Sequence, residues 1–408
     1  MKKILKIILT ILLFSPLQKC SKTSDFDEKE QEQVEQDKDL ENTTNLPFQV
    51  KWSINRTKEQ TKNPFKSFLH ASEIGLYYYN SVGNKGFCSL DKTNGKTLWN
   101  ITDETIEPPI AIKKIGNYLW ALAADINDPT LLKINHTNGN VLIERKSGVF
   151  PSGKSNNSWF GLRKQSTSLY KIDLKTGNDI KICDQYRIDI IRNFLIKDEK
   201  LLVMDVRKNS RSILSIDPNS CNLFWEVEEN DIENYGHLNY YSFAVDIGSK
   251  ILSVSIEYFI TRSPNTGQAE YKYPANNTVE ITQFLHKESK NLFLFHDKIT
   301  GKVFAFDWVS KTMIWESQVQ NRDIGQLFLV KERLFLYDKK NSIYELNLEN
   351  GHTVSEIKTK KLLPFETATI SYSVNRLEDF FGEEYFKISD DEIYYTTEKS
   401  TIISARLQ

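Results

Sequence analysis

One turn, D-x-x-x-G, recurs along this chain at near-constant spacing, between an apolar strand and a second strand that carries an aromatic or aliphatic residue. Its clearest copy is FCSLDKTNGKTLW, from Phe87 to Trp99. An Asp side chain hydrogen-bonds backbone two residues on, and Gly takes the left-handed conformation, so the pattern describes a tight hairpin. Aligned on Asp91 and Gly95, the copies begin at Asn135 (with Gly139), Asp173 (Gly177), Asp217, Ser263 (Gly267), Asp307 and Asn347 (Gly351). Cys221 and Lys311 occupy the glycine slot in the Asp217 and Asp307 copies. Trp99, Trp225, Tyr271 and Trp315 stand eight residues after their anchors, and successive anchors are 38 to 46 residues apart.

A period of that length is the signature of four-stranded propeller blades, about 40–45 residues each. The sequence between turns supplies the strands. Unit six reads VEITQFLH, NLFLFHDK, KVFAFD and TMIWES, and unit two reads IAIKKI, YLWALAA, LLKIN and VLIER. No stretch has the 3.6-residue periodicity of a long helix. PFQVKWSIN, from Pro47 to Asn55, is a strand with no turn before it, and the last unit lacks its closing strand. Joining the two, with Lys51 and Trp52 beside Ile402 and Ile403, closes a ring and leaves no exposed sheet edge there. The expected fold is all-β: an eight-bladed β-propeller of four-stranded antiparallel blades, its C-terminal blade completed by the N-terminal strand.

The 53 basic and 54 acidic residues cancel, and no basic block stands out, so composition argues against a nucleic-acid partner. Cys20, Cys88, Cys183 and Cys221 have no CxxC spacing, which argues against a zinc or redox motif. Cys88 and Cys221 lie inside units and read as buried thiols. A Cys183–Cys221 disulfide between neighbouring units is the alternative.

Residues 1–19 read as an export signal: Lys2, Lys3 and Lys6, then the short apolar run IILTILLF. Cys20 follows and resembles a lipoprotein lipidation site, with Leu17 in place and Lys19 where a small residue is usual. Simple secretion is the alternative if Cys20 is not lipidated. Residues 20–46 are acidic, Gln-rich and poor in large apolar residues, the composition of a flexible tether, with a short helix from Glu28 to Leu40 as the alternative. Residues 47–408 form the propeller.

The LDKTNGKTLW signature resembles the PQQ-like β-propeller repeat. With the lipoprotein-like start and eight blades, the chain is similar to the BamB type of lipoprotein. That resemblance implies a non-enzymatic, monomeric protein-binding scaffold at the outer membrane, on its periplasmic or cell-surface face. It also implies outer-membrane assembly components as partners and a lipid anchor as the membrane contact. Fold alone does not set function, and relatives of this fold include PQQ-dependent dehydrogenases. Those carry adjacent cysteines, which are absent here, and there is no C-x-x-C-H haem site. A divergent quinoprotein is the least favoured reading, and no cofactor or catalytic residue is expected.

The tryptophans Trp52, Trp99, Trp225 and Trp315 read as blade-to-blade packing. His136 and His352 fall in hairpin turns. His286 and His296 share unit six, where a hydrogen-bonded core histidine is the plainer reading beside a metal ligand. Binding surfaces in repeat folds gather where insertions cluster. One long connection carries Tyr235, His237, Tyr240 and Tyr241; the other carries Phe365, Phe380 and Phe381. Both are expected to join the last strand of one blade to the first of the next and so to emerge on one face. These seven residues are the candidate partner-binding set, for a protein or, alternatively, for a surface ligand such as a glycan.

Overall fold

The computed structural model describes residues 48–55, 68–72, 75–80, 86–102, 109–123, 129–154, 157–163, 166, 168–186, 195–197, 200–207, 210–228, 243–246, 250–254, 259–273, 279–359, 361–363, 385–389, 391–397 and 401–407. The expected export signal, Cys20 and the acidic tether lie outside the described residues. Among the described residues the structure is all-β apart from one short 3-10 turn at Glu288–Lys290.

Eight antiparallel sheets form a ring. Blades 1 to 7 are, in order, 68–102, 109–146, 149–183, 195–228, 243–273, 281–316 and 324–358, each with four strands in sequence order. Blade 8 combines 362–407 with the N-terminal strand Phe48–Asn55. The first strand of each blade lies innermost, against the inner strands of neighbouring blades, and the fourth lies at the rim. Second strands are covered on both faces by adjacent blades, so Leu292–Asp297 is buried at every position. This explains their continuous rather than alternating apolar pattern.

Ring closure follows the expectation with the register shifted by two residues: Ser53 and Ile54, not Lys51 and Trp52, stand opposite Ile403 and Ile402. Phe48–Asn55 pairs antiparallel with Thr401–Leu407, Trp52 opposite Ser404 and Ser53 opposite Ile403. A register shift between Val50 and Trp52 leaves Lys51 as the extra residue of a bulge.

The repeated turn has the expected chemistry. The Thr93 amide and hydroxyl donate to Asp91 Oδ1 at 2.7 and 2.6 Å, and Gly95 N donates to Asp91 O at 2.8 Å. The slot residue has positive φ in all seven copies: +70° to +78° for the five glycines, +63° for Cys221 and +60° for Lys311.

What fills the slot is decided by the preceding blade. At four seams a rim tryptophan lies on the next blade's turn, and its indole N–H donates to the carbonyl just after the anchor. Trp52 donates to Lys92 O, Trp99 to His136 O, Trp225 to Pro264 O and Trp315 to Leu348 O, at 2.8–3.0 Å. A Cβ at Gly351 would come within 2.5 Å of Trp315, and one at Gly95 within 2.7 Å of Trp52. Under a tryptophan the slot must therefore be glycine for space as well as for φ. Where the equivalent rim residue is Lys181 or Tyr271, a side chain fits, and the slots hold Cys221 and Lys311.

Three of the other four seams use different devices. Between blades 2 and 3, Arg145 Nε donates to Gly177 O at 2.6 Å and Arg145 pairs with Asp179, also at 2.6 Å, while Trp120 covers Gly177. Between blades 5 and 6, Tyr271 stacks on Phe306 at 5.4 Å within a cluster around Phe259. Between blades 3 and 4, Cys183 is disulfide-bonded to Cys221, with Cα atoms 5.4 Å apart. This corrects the reading of Cys221 as a buried free thiol: the left-handed turn brings its Cβ to the rim strand of the preceding blade. Cys88 is free and buried.

Candidate interaction surface

Tyr235, His237, Tyr240, Tyr241, Phe365, Phe380 and Phe381 all lie outside the described residues. Their attachment points are described. Residues 229–242 leave the rim strand of blade 4 at Glu228 and enter the inner strand of blade 5 at Phe243, as expected. The other insertion departs from expectation. Leu363 lies opposite Thr396, and Phe386 lies opposite Tyr395, the next position along the same strand. Residues 364–385 therefore interrupt the inner strand of blade 8 instead of preceding it. The interruption falls two rungs from the end where inter-blade connections enter, so both insertions root at that end of the ring.

The insertion's two stems are fixed to blade 7. Gln326, buried on the inner strand, accepts from the amides of Tyr385 and Phe386 at 2.8 Å each and donates to Phe386 O at 3.0 Å. Three backbone groups at the point of re-entry are satisfied by one side chain, which a residue without an amide could not do. Tyr337 holds both stems. Its hydroxyl accepts from Leu362 N at 3.4 Å, and its ring lies 4.7 Å from that of Tyr385. Gly325 sits between these rings; a Cβ there would meet each at 2.8 Å. Gln283, at the matching bulge of blade 6, donates to Gly325 O, so the clamp continues inward along the ring. Sequence reasoning missed Gln326 and Tyr337. The available signal was a Gln two residues after an Ile in two successive inner strands, at Gln283 and Gln326.

Two titratable groups are shifted by burial, one at this base and one in blade 6. Lys387 follows the re-entry point, and burial pushes its ammonium down to about 8, although part of its surface reaches solvent. His296 is fully buried, with Nδ1 2.7 Å from Thr282 Oγ1 and Nε2 2.8 Å from Asn321 O. Burial pushes its pKa below the ordinary histidine value. Asn321 also donates to the buried Asp338 at 2.9 Å, so this polar chain ties blade 6 to blade 7. His296 is thus a satisfied core histidine. His136 is half-buried beside Tyr77, whereas His352 is exposed. Among the described residues, no group of three or more His, Cys, Asp or Glu could hold a metal ion, and no helix is long and apolar enough to cross a membrane.

The rim carries a second apolar feature. Leu98, Leu142, Ile180, Phe224, Ile314 and Val354 each lie seven residues after their anchor and are exposed. In the copies anchored at Asp91, Asp217 and Asp307 the next residue is the buried tryptophan Trp99, Trp225 or Trp315, so the exposed residue faces the opposite side of the strand.

No protein-family model and no curated protein matches the chain. Solved structures match across most of its length. BamB from Moraxella catarrhalis aligns over 88% of this chain and 99% of its own, with a TM-score of 0.58 and 11% identity. The C-terminal WD40 domain of Sif2 aligns over 88% of this chain and 98% of its own, with a TM-score of 0.56 and 9% identity. The quinohemoprotein alcohol dehydrogenase ADHIIG from Pseudomonas putida HK5 aligns over 88% and 76%, with a TM-score of 0.54 and 8% identity. At such identities the likeness is one of fold, and it spans proteins of different function.

Proposed function

We propose that this chain is an exported, lipid-anchored propeller that binds a protein partner and performs no chemistry, acting as a scaffold in outer-membrane protein assembly. The observation that carries the binding reading is the common rooting of two long, aromatic insertions at one end of a rigid ring. Aromatic residues on a scaffold that holds their stems in place are what a protein-binding patch requires. Gln326 and Tyr337 supply that hold by tying both stems of one insertion to blade 7.

Two observations support export. The basic and apolar start leads to Cys20, and the Cys183–Cys221 disulfide suits an oxidising compartment, where disulfides persist. The fold likeness to BamB motivates the choice of assembly partners.

The test is cross-linking in intact cells followed by affinity recovery of the tagged full-length protein. Outer-membrane assembly components should co-purify, and Phe380→Ala/Phe381→Ala should weaken their recovery at least about tenfold, the scale of an interface hot spot. Recovery of no envelope protein by the wild type would overturn the scaffold reading. The mass of the mature N-terminal peptide tests the anchor separately, since lipid on Cys20 adds a defined increment.

A further inference from the structure

We infer that the Cys183–Cys221 disulfide is a redox-cleavable latch, standing where other seams carry a tryptophan on a glycine, and that a dithiol reductant opens the rim between blades 3 and 4 and leaves the other seams closed.

The inference rests on position. Cys221 fills the glycine slot of blade 4, and Cys183 ends the rim strand of blade 3, the strand that elsewhere bears the latch tryptophan. The residue at the tryptophan position, Lys181, instead pairs with Asp184 on the surface. No indole therefore spans this rim, and no indole N–H reaches the turn. Besides the disulfide, the contacts among the described residues there include hydrogen bonds from Gln185 to Cys221 O at 3.1 Å and from Lys171 to Asn219 at 2.9 Å. Deeper in the seam, Phe160, Leu162, Leu201, Val203 and Leu214 form a continuous aliphatic and aromatic cluster. Cys183 and Cys221 belong to that cluster as well, but its hydrocarbon members pack on one another without needing the S–S bond, so the change is confined to the rim.

The chemistry is thiol–disulfide exchange. A thiolate of the dithiol attacks one sulfur, displaces the other as a thiolate and forms a mixed disulfide; the reductant's second thiol then closes its own ring. Two electrons and two protons pass to the protein, leaving two cysteine thiols and one cyclic disulfide. Cys183 and Cys221 are 3% and 5% exposed, so attack occurs during brief local opening, and cleavage of the bond then keeps the rim open. Cys88 does not enter the exchange, because burial pushes its thiol up to about 12 and leaves little thiolate.

Hydrogen exchange of the full-length protein, read by mass spectrometry with and without dithiothreitol, tests this. Non-reducing peptide mapping first establishes the 183–221 link. Reduction should speed exchange at least about tenfold in residues 177–186 and 214–228. Residues 312–317 and 346–354, which span a tryptophan latch, should be unchanged. Unaltered exchange at blades 3 and 4, a uniform rise across all blades, or absence of the link would overturn the inference. Lys181→Trp/Cys183→Ala/Cys221→Gly installs the alternative latch and should be insensitive to the reductant while retaining the oxidised protein's protection. If that variant fails to fold, Cys183→Ser/Cys221→Ser should show the reduced pattern without reductant; wild-type-like protection there would also overturn the inference.

Discussion

The seam between blades 6 and 7 and the seam between blades 3 and 4 solve one geometric problem with different chemistry. In the first, Trp315 covers Gly351, donates to Leu348 O and belongs to a cluster that includes Leu294, Leu334 and Leu346. In the second, Cys183 and Cys221 replace both ring and glycine by a covalent bond. A left-handed turn residue is common to both. The tryptophan latch needs the absence of a Cβ, whereas the disulfide needs its presence. The slot residue therefore reports what stands on the preceding rim, and the repeat tolerates Cys221 and Lys311 only where no indole covers the turn.

The largest expected effect comes from deleting an indole. Trp315→Ala should lower unfolding free energy by about 3–5 kcal/mol, the range for truncating a buried Trp, measured from urea midpoints. A loss below about 1 kcal/mol would show that the aliphatic cluster alone holds that seam. Removing the disulfide with Cys183→Ala/Cys221→Ala should cost about 2–4 kcal/mol, given the 38-residue separation of the pair. Matching losses in the two experiments would make the latches energetically equivalent.

A smaller effect of opposite sign is expected at the third kind of seam. Lys311 holds a left-handed φ of +60° with no tryptophan above it. Lys311→Gly should stabilise the protein by up to about 1 kcal/mol, because relief of strain exceeds the added chain entropy. Gly351→Lys should instead destabilise strongly, since its Cβ would collide with Trp315.

The smallest effects are those of pH, and they again separate regions. His296 in blade 6 is pushed below its ordinary pKa by burial, so the unfolded chain takes up the proton first. Stability should fall as pH drops below about 6.5, and His296→Gln should abolish that limb. Asp91 and Asp217 are held below the usual carboxylate range: Asp91 first by the Thr93 hydroxyl, Asp217 first by the Asn219 amide. Their contribution is present above about pH 3.9 and disappears as pH falls through the lowered value. Urea midpoints taken from pH 7.5 to 3 should therefore show a histidine step before the carboxylate step.

Much of the fold was legible because its cues are local. A side-chain-capped turn with a left-handed residue, usually glycine, four positions after its anchor forms one hairpin whatever surrounds it, so seven copies could be counted. The orphan strand around Trp52 pointed to closure, although not to the bulge at Lys51, which depends on the partner strand's register. The candidate surface was legible only in part. Excess length between blades 7 and 8 was visible, but an insertion within a strand and one before it have the same length. The pairing of Leu363 and Phe386 with adjacent residues of one strand tells them apart.

By itself the sequence determined the repeat, the turn, the number of blades and the means of closing the ring, since each depends on residues within one hairpin or on the composition of a strand. Tertiary structure alone decided which slots could dispense with glycine, which cysteines joined and where the long insertion is rooted. Those outcomes depend on groups that meet across a seam after about forty residues of intervening chain. At that distance, what one position admits is decided by the shape and chemistry of its neighbour in the ring.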